Sequence, residues 1–281
     1  MAANLLKDGV RVIGYDLDVK RMQAFKEKGG HVASALTDFS DTTVILTCLP
    51  SQRAVESTYF GEKGLLSAKG TKPRIILDCS TMSPTTARQI SAKAAERDIV
   101  LDAPISGGVQ GAQAGTLTFM IGGEKEVVDK VETILHCMGD NIIYCGHSGM
   151  GQTAKICNNL AACVNNQAAC EAYILAEKLG VQPTAMTEIF NSSSGRSFFT
   201  TDYNPIPGIV EGAPSSKGYE GGGSISIGRK DLQLALDTAQ QEGIPTMLGA
   251  CAQQIMKLME HRGYGENDFT FLYQFLKQGK K

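Results

Sequence analysis

Two hydrophobic patterns alternate along the first half of the chain. Short runs rich in β-branched residues predict strands, and between them apolar residues recur at helical spacing. Ser83-Pro84, for example, offers an N-cap and a first-turn proline to one helix. Strands that alternate with helices in this way predict a doubly wound, mostly parallel sheet. The predicted strands are VRVIGYD ending at Asp16, TVILTCLP ending at Pro50, RIILDCST ending at Thr81, IVLDAPIS ending at Ser106, TLTFMIGG and NIIYCG.

The pattern changes near the middle of the chain. Residues 149–180 carry no strand signal, and their Ala-rich sequence predicts a helix longer than most in globular proteins. More helices follow, one of them near Lys230, and an irregular Gly/Pro-rich segment before it is too long for a routine connection. We therefore predict a Rossmann-like α/β domain at residues 1–148 and an all-helical domain at 149–281, which begins with the long helix.

Composition narrows the class of ligand. Lys and Arg number 27 and Asp and Glu 29, with no run of like charge, so neither nucleic acid nor an anionic membrane is indicated. No apolar run reaches the ~20 residues of a membrane-spanning helix. Eight cysteines occur without a Cys-x-x-Cys pair, which disfavours a zinc site and a disulfide framework, and we interpret them as reduced core residues. A small molecule is the expected partner.

Asp16 is the first candidate for ligand binding. Ligands of open α/β sheets lie beyond the carboxyl ends of the strands, and an acidic strand end is where the dinucleotide fold holds the adenosine ribose. A strand-end Asp in an ordinary turn is an equally good interpretation of the position alone. If Asp16 does bind the ribose, its carboxylate would meet a 2′-phosphate without a compensating arginine, so NAD is favoured over NADP.

The long predicted helix supplies the second candidate. Lys155 and Asn159 are four residues apart in its first turns and therefore share a face. A solvated surface charge is the commoner role of a helical lysine. The positive end of a helix and apolar surroundings, however, favour the neutral amine that a general base for alcohol oxidation needs. The glycines of the preceding GMGQTA segment do not form a cofactor cradle; we expect them to allow a sharp helix entry and a close approach to a ligand.

Two further segments carry weaker signals. Ser106, Gly107 and Gly108 follow a predicted strand, and consecutive glycine N–H groups beside a hydroxyl can form a concavity for a carboxylate. A flexible turn is the alternative. Lys230-Asp231 is predicted to open a later helix and could equally be an ordinary surface pair.

Together these segments resemble the β-hydroxyacid dehydrogenases over nearly the whole chain. DAPISGGVQGAQAGTLTFMIGG is similar to the family's substrate signature, GHSGMGQTAKICNN to its catalytic-lysine motif and GRKDLQLAL to its C-terminal lysine motif. Three motifs in the family's order make a specific signal. The irregular segment SSSGRSFFTTDYNPIPGIVEGAPSS resembles the long loop of members that act on 3-hydroxyisobutyrate.

The resemblance implies a role for each candidate residue. NAD would oxidise a 3-hydroxy acid, 3-hydroxyisobutyrate first among them, to the semialdehyde, as in valine catabolism. The resemblance also implies a homodimer or homotetramer and a mitochondrial location, although MAANLLKDG contains no readable targeting segment. The implied roles are general acid/base for Lys155, carboxylate cradle for Ser106, Gly107 and Gly108, substrate anchor for Asn159, nicotinamide and substrate contact for Lys230, NAD contacts for Leu49, Pro50 and Thr81, and ribose binding for Asp16.

This sequence differs from the family pattern at its N-terminal end. Family members begin with a strand and a Gly-x-Gly-x-x-Gly turn whose helix N-terminus binds the pyrophosphate, and both would precede Met1. We expect weaker cofactor binding and unpaired strand edges where they are missing. Two other hypotheses stay open: another activity of the family, such as tartronate semialdehyde reduction, and a non-catalytic binding or scaffold protein that has lost its cofactor.

Overall fold

Helices and strands alternate through the first compact unit, Met1–Lys155, as the hydrophobic pattern predicts. The structure is a computed structural model that describes residues 1–67 and 72–278. The elements of this unit are α1 (Ala2–Lys7), β1 (Ile13–Gly14), α2 (Val19–Glu27), β2 (His31–Val32), a 3₁₀ turn (Leu36–Phe39), β3 (Val44–Thr47), α3 (Gln52–Phe60), β4 (Ile75–Asp78), α4 (Pro84–Ala94), β5 (Ile99–Asp102), β6 (Ile105–Ser106), α5 (Gly108–Ala114), β7 (Thr118–Gly122), α6 (Lys125–His136) and β8 (Asn141–Gly146).

The strands form two sheets. In the larger one β3, β4 and β5 are parallel neighbours, β7 runs antiparallel to β5 and β6, and β8 is parallel to β7. β1 and β2 form a separate parallel pair. The predicted strand IVLDAPIS is divided into β5 and β6 at Pro104, which has no N–H to continue the ladder. The prediction of a doubly wound, mostly parallel α/β fold is confirmed.

Apolar side chains cover both faces of the larger sheet. One core packs Leu101 and Phe119 of the strands against Val131 of α6 and Leu5 of α1. The other packs Ile45 and Ile76 against Val55 and Tyr59 of α3 and Ile90 of α4. A sheet buried on both faces explains why its strands read as continuous apolar runs.

The second compact unit, Ile156–Lys281, contains helices and no strand among its described residues. The predicted all-helical character of the second half is therefore confirmed. The elements are the main part of α7 (Met150–Lys178), which begins in the first unit, then α8 (Pro183–Ser192), a 3₁₀ turn (Pro214–Lys217), α9 (Ile225–Gln241), α10 (Met247–Met259), a π-helical turn (Glu260–Tyr264), a 3₁₀ turn (Phe269–Phe271) and α11 (Leu272–Gln278). Its core includes Tyr173, Phe190, Leu232, Met256 and Tyr273.

Three details differ from or extend the sequence predictions. The helix expected near Lys230 begins earlier, at Ile225, where the Oγ of Ser224 caps it by accepting a hydrogen bond from the N–H of Ile227 (3.3 Å). The division between the two compact units falls after Lys155, within the sequence of α7, and the predicted domain boundary after residue 148 stays a prediction. No helix in the described part of the chain is long and apolar enough to span a membrane.

None of the eight cysteines forms a disulfide, but most of them are not core residues. Three of them, Cys79, Cys163 and Cys170, are buried, and the other five are half-buried or exposed. The interpretation of the whole set as core residues is therefore wrong. That interpretation rested on the apolar neighbours of the cysteines in sequence, but a residue next to a buried one in a strand or helix often faces the other way.

Candidate active site

The carboxyl ends of three neighbouring strands lie at one edge of the larger sheet. Thr47 on β3, Asp78 on β4 and Asp102 on β5 are register partners across the two parallel pairs. The segments that follow them leave the sheet at this edge, where ligands bind in open α/β sheets. Four predicted site residues lie on these segments: Leu49, Pro50, Thr81 and Ser106.

Ser80 joins the two segments that are predicted to line the cofactor. Its Oγ accepts a hydrogen bond from the N–H of Leu49 (2.9 Å), and its own N–H donates to Oδ1 of Asp78 (2.8 Å). The structure thus brings the Leu49-Pro50 segment next to Thr81. Pro50 is exposed and Leu49 and Thr81 are half-buried, so side chains at this edge stay accessible to a ligand.

Asp16 lies just after β1 in the smaller sheet and is exposed. Its Oδ1 accepts a hydrogen bond from the N–H of Asp18 (2.8 Å), and its Oδ2 lies 3.7 Å from Nη1 of Arg21. The same guanidinium lies 3.6 Å from a carboxylate oxygen of Asp18. The expectation that no arginine stands near Asp16 is therefore wrong, because the first turn of α2 brings Arg21 back toward the strand end.

Ser106 ends β6, Gly107 is the N-cap of α5 and Gly108 is the first residue of α5. Gly107 has φ 129° and Gly108 has φ 61°, a region that favours glycine. Both glycines are exposed, and the carbonyl of Gly107 accepts a hydrogen bond from the N–H of Gly111 (2.9 Å). Successive N–H groups in such a turn can surround an anion, so the geometry suits the carboxylate cradle that remains a prediction for these residues.

Asp102 anchors the first turn of α7. Its Oδ1 accepts a hydrogen bond from the N–H of Gly149 (2.7 Å), and its Oδ2 accepts one from the N–H of Gln152 (2.9 Å). Gly149 has φ 88°, which gives the sharp helix entry that was predicted. A Cβ on Gly151 would lie 2.7 Å from the carbonyl oxygen of Asp102. The backbone of α7 at Gly151 therefore lies close to the sheet, where the sequence predicted a close approach to a ligand.

Lys155 follows in the next turn of α7 and is 8% exposed. That burial excludes the solvated surface charge that was the alternative interpretation. Asn159 lies one turn further along the same helix. Lys155 is therefore a buried amine on a helix that Asp102 anchors to the sheet, and its role as general acid/base stays a prediction.

Two buried carboxyl groups stand behind this edge of the sheet. Burial raises the pKa of Asp102, and hydrogen bonds from the N–H groups of Gly149 and Gln152 oppose that rise. Burial likewise raises the pKa of Asp78, against hydrogen bonds from Ser80. Asp78 and Asp102 are 1% and 2% exposed, so they hold the framework together and do not face a ligand.

In the second unit Asp231 brings two predicted residues together. Its Oδ2 accepts a hydrogen bond from Nδ2 of Asn159 (2.8 Å), and its Oδ1 lies 3.1 Å from Nζ of Lys230. Asp231 is buried and Lys230 is half-buried inside α9. Lys230-Asp231 therefore does not open its helix and is not an ordinary surface pair.

Sequence reasoning missed the buried polar residues that hold these segments. Asp78, Ser80, Asp102, Gln152 and Asp231 were not proposed as site residues, although each lies within four residues of one that was. A usable signal was present, since a polar residue at the end of an apolar strand must find a buried partner. The partner of each buried polar residue could not be predicted, because the hydrogen bonds of these residues join positions as many as 72 residues apart in sequence.

The described residues fit the ribose and nicotinamide ends of a dinucleotide. The exposed carboxylate of Asp16 at a strand end can accept hydrogen bonds from ribose hydroxyls. Leu49, Pro50 and Thr81 offer an apolar and hydroxyl surface at the neighbouring strand ends, where a nicotinamide ring binds in such folds.

Comparison with known families matches both halves of the chain. Residues 1–146 match the family described as the NAD binding domain of 6-phosphogluconate dehydrogenase. Residues 149–276 match the family described as the NAD-binding domain of NADP-dependent 3-hydroxyisobutyrate dehydrogenase.

Similar proteins cover almost the whole chain. It is 41% identical to the probable mitochondrial 3-hydroxyisobutyrate dehydrogenase of Dictyostelium discoideum, over 100% of this chain and 88% of that protein. It is 41% identical to the 3-hydroxyisobutyrate dehydrogenase of Pseudomonas aeruginosa, over 98% of this chain and 94% of that protein. The structure of Mycobacterium tuberculosis 3-hydroxyisobutyrate dehydrogenase with L-serine superposes with a TM-score of 0.89 at 32% identity, covering 98% of this chain and 94% of that one. The chain therefore belongs to the 3-hydroxyisobutyrate dehydrogenase family, oxidoreductases that use a nicotinamide cofactor.

Proposed function

We propose that this chain oxidises 3-hydroxyisobutyrate to methylmalonate semialdehyde with NAD. The observation that carries the proposal is Lys155, a buried amine in the first turns of a helix that Asp102 anchors to the sheet, in a member of this family. A solvated lysine would be protonated at neutral pH and could not accept a proton.

The chemistry divides between hydride and proton. When bound, the nicotinamide ring supplies the acceptor for the hydride that leaves the carbinol carbon. Nζ of Lys155 accepts the proton of the substrate hydroxyl, so that the C–O bond becomes a carbonyl as the C–H bond breaks. In the reverse reaction the same ammonium group returns the proton.

Binding residues orient the substrate for this transfer. The N–H groups of Gly107 and Gly108, with the hydroxyl of Ser106, hold the substrate carboxylate. Asn159, whose amide is oriented by Asp231, anchors the substrate, and Lys230 contacts substrate and nicotinamide. These roles are supported by the family motifs in which the residues stand.

The substrate class is a short 3-hydroxy acid. L-Serine, named with the related Mycobacterium tuberculosis enzyme, also carries a hydroxyl on the carbon next to the one bearing the carboxylate and amine. A carboxylate cradle and a base for the hydroxyl suit this class.

The test compares Lys155→Ala with Lys178→Ala, an exposed lysine at the other end of the same helix. Lys155→Ala should lower kcat by about 10²–10⁴-fold and leave NAD affinity within about threefold, because proton transfer contributes that much and NAD is held elsewhere. Lys178→Ala should match the parent. Unchanged turnover in Lys155→Ala would exclude the lysine as the base. Absence of turnover in the parent with 3-hydroxyisobutyrate, but turnover with tartronate semialdehyde, would replace the substrate.

We also propose that the protein forms a homodimer or homotetramer through its second unit. Leu175, in the last turn of α7, and Leu179, directly after the helix, are 61% and 75% exposed. Met247 and Leu248 on α10 are 81% and 70% exposed. Apolar patches of this kind commonly mark interfaces between protein chains. Light scattering after size exclusion should give a multiple of the 30.0 kDa chain mass, and Leu175→Glu with Leu179→Glu should shift it toward the monomer. A parent that elutes as a monomer would exclude the assembly.

A mitochondrial location is the third part of the proposal. The relatives from Dictyostelium discoideum and Homo sapiens are named mitochondrial, whereas the bacterial one is not. Fractionation of cells of the source organism, with detection by an antibody to this chain, tests the location.

A further inference from the structure

Gln152 is a fully buried amide in the first turn of α7, three residues before Lys155. Its Nε2 donates a hydrogen bond to the carbonyl of Ser80 (2.8 Å), and its Oε1 accepts one from the N–H of Met82 (3.1 Å). The two bonds therefore grip the backbone immediately before and immediately after Thr81. Gln152 and all three residues of that segment lie in the first compact unit.

The gripped segment is irregular and needs external support. Residues 80–82 belong to no helix or strand, so their backbone groups have no regular ladder to satisfy them. Ser80 also accepts the hydrogen bond from the N–H of Leu49. Gln152 thus connects α7 to the segments on which Leu49 and Thr81 stand.

Gln152 donates one hydrogen bond to the segment and accepts one from it, and together these two bonds fix the orientation of the segment as well as its distance from α7. A single bond would leave the segment free to rotate about it, but a donor on one side of Thr81 and an acceptor on the other restrict both rotation and translation. The backbone N–H of Gln152 is itself bound to Asp102, so the amide projects from a turn that is already anchored to β5. The side chain therefore acts as a short rigid spacer between two elements.

We propose that Gln152 is a positioning residue that sets the placement of the Lys155 helix relative to the Thr81 segment. The inference rests on the proposed function, in which Lys155 accepts the proton and Thr81 contacts the nicotinamide. Hydride and proton leave neighbouring atoms of one substrate molecule, so the Lys155 helix and the Thr81 segment must be held at a fixed distance and orientation. A displacement of about 1 Å at such a site can cost about 10²-fold in rate.

The experiment uses the full chain with three variants. Gln152→Met removes both hydrogen bonds at similar volume. Gln152→Glu keeps the acceptor for Met82 and, when its carboxyl group is ionised, loses the donor to Ser80. Gln167→Met, on the same helix at a half-buried position, is the matched control.

Two readouts separate positioning from loss of folded protein. With sites counted by NAD titration, kcat per site should fall about 10- to 100-fold in Gln152→Met, with KM and NAD affinity within about threefold of the parent. Amide exchange at Met82 in the chain without ligands should rise about tenfold in Gln152→Met and stay near the parent rate in Gln152→Glu, which keeps the Met82 acceptor. Gln167→Met should change neither.

Each failure has a different meaning. An unchanged kcat per site in Gln152→Met, or an unchanged exchange rate at Met82, overturns the positioning role even where Lys155→Ala abolishes turnover. Conversely, if Lys155→Ala turns over normally, the proposed function fails, and the exchange rate at Met82 still reports whether Gln152 holds the segment.

Discussion

Replacing Asp102 by alanine should destabilise the first unit more than the loss of an ordinary helix cap. The carboxylate is 2% exposed and accepts hydrogen bonds from the N–H of Gly149 at 2.7 Å and of Gln152 at 2.9 Å. Without it, both N–H groups lose their acceptor at the buried start of α7. The helix N-terminus also loses the negative charge that opposes its positive end.

The magnitude follows from these contacts. A hydrogen bond to a charged group contributes about 1.5–3 kcal/mol, so the two bonds give about 3–6 kcal/mol before any correction. Removing the buried charge returns part of this, because burial disfavours the carboxylate, as the raised pKa of Asp102 indicates. We expect a net loss of about 2–4 kcal/mol for Asp102→Ala and about half of it for Asp102→Asn, which keeps one acceptor oxygen.

Asp18→Ala is the matched control for this measurement. Asp18 caps α2 in the same unit by accepting hydrogen bonds from the N–H groups of Lys20 (2.8 Å) and Arg21 (3.3 Å), but it is exposed. An exposed cap contributes about 0.5–2 kcal/mol, typically ~1. Denaturant unfolding followed by circular dichroism gives the free energies, and native-state exchange at Gly149 and Gln152 assigns the loss to α7. A loss in Asp102→Ala no larger than in Asp18→Ala would refute the anchoring role.

The pH dependence of the same variants gives a second check. Burial raises the pKa of Asp102, so the folded chain binds its proton at higher pH than the unfolded chain. A raised carboxyl pKa contributes stability that is present below the ordinary value of 3.8 and is lost as pH rises through the folded-state value. The deficit of Asp102→Asn should therefore be larger near the ordinary pKa than at neutral pH. A deficit that shrinks on acidification would show that the pKa is lowered instead.

Two further predictions concern cofactor choice and the buried ion pair. The parent should prefer NAD to NADP, and Asp16→Ala should narrow the preference by about tenfold or more, because Arg21 is then free to pair with the 2′-phosphate. Titration with both cofactors tests this. The double variant Asp16→Ala/Arg21→Ala should lose the improved affinity for NADP. Asp98→Ala should cost about 3–5 kcal/mol by calorimetry, because Arg74 is 1% exposed and would keep its charge without the carboxylate at 2.6 Å. Although burial raises the pKa of Asp98, hydrogen bonds from Arg74 and Arg97 lower it to about 2, so the pair's stabilisation should fade as pH drops from about 4 to about 2 and should not change above that range.

Local sequence signals predicted most of the elements, although β3 and β4 end at Thr47 and Asp78, three residues before the predicted strand ends. Ser83 caps α4 through its Oγ, which accepts a hydrogen bond from the N–H of Thr86 (3.1 Å), as Ser83-Pro84 predicts. The helix at 149–180 was equally clear, because only helical periodicity continues that far. The start of α9 was missed although Ser224 is a good N-cap, because the glycines around it indicated a loop.

The candidate site was only partly within reach of the sequence. Motif resemblance located Lys155 and Ser106, and strand ends located Asp16 and Thr81. The position of Arg21 beside Asp16 depends on the path of the chain into α2, which no spacing rule fixes. Gln152 could not be assigned a partner either, since four strands and three helices lie between it and its partners Ser80 and Met82 in sequence.

Gly151→Ala tests whether local propensity or tertiary packing decides the start of α7. Alanine is about 1 kcal/mol better than glycine inside a helix, so propensity alone predicts a more stable chain. A Cβ at this position would, however, lie 2.7 Å from the carbonyl oxygen of Asp102 and closer still to that of Met120, both backbone atoms of the sheet. Relieving such overlap costs about 1–3 kcal/mol, so we expect net destabilisation and a lower kcat as α7 moves away from β5 and β7. Gly212→Ala is the control, because nothing lies within 4 Å of a Cβ there and its φ is not positive. If Gly151→Ala gains stability as Gly212→Ala is expected to, the helix does not press on the sheet, and the anchoring of Lys155 must come from the hydrogen bonds of Asp102 and Gln152 alone.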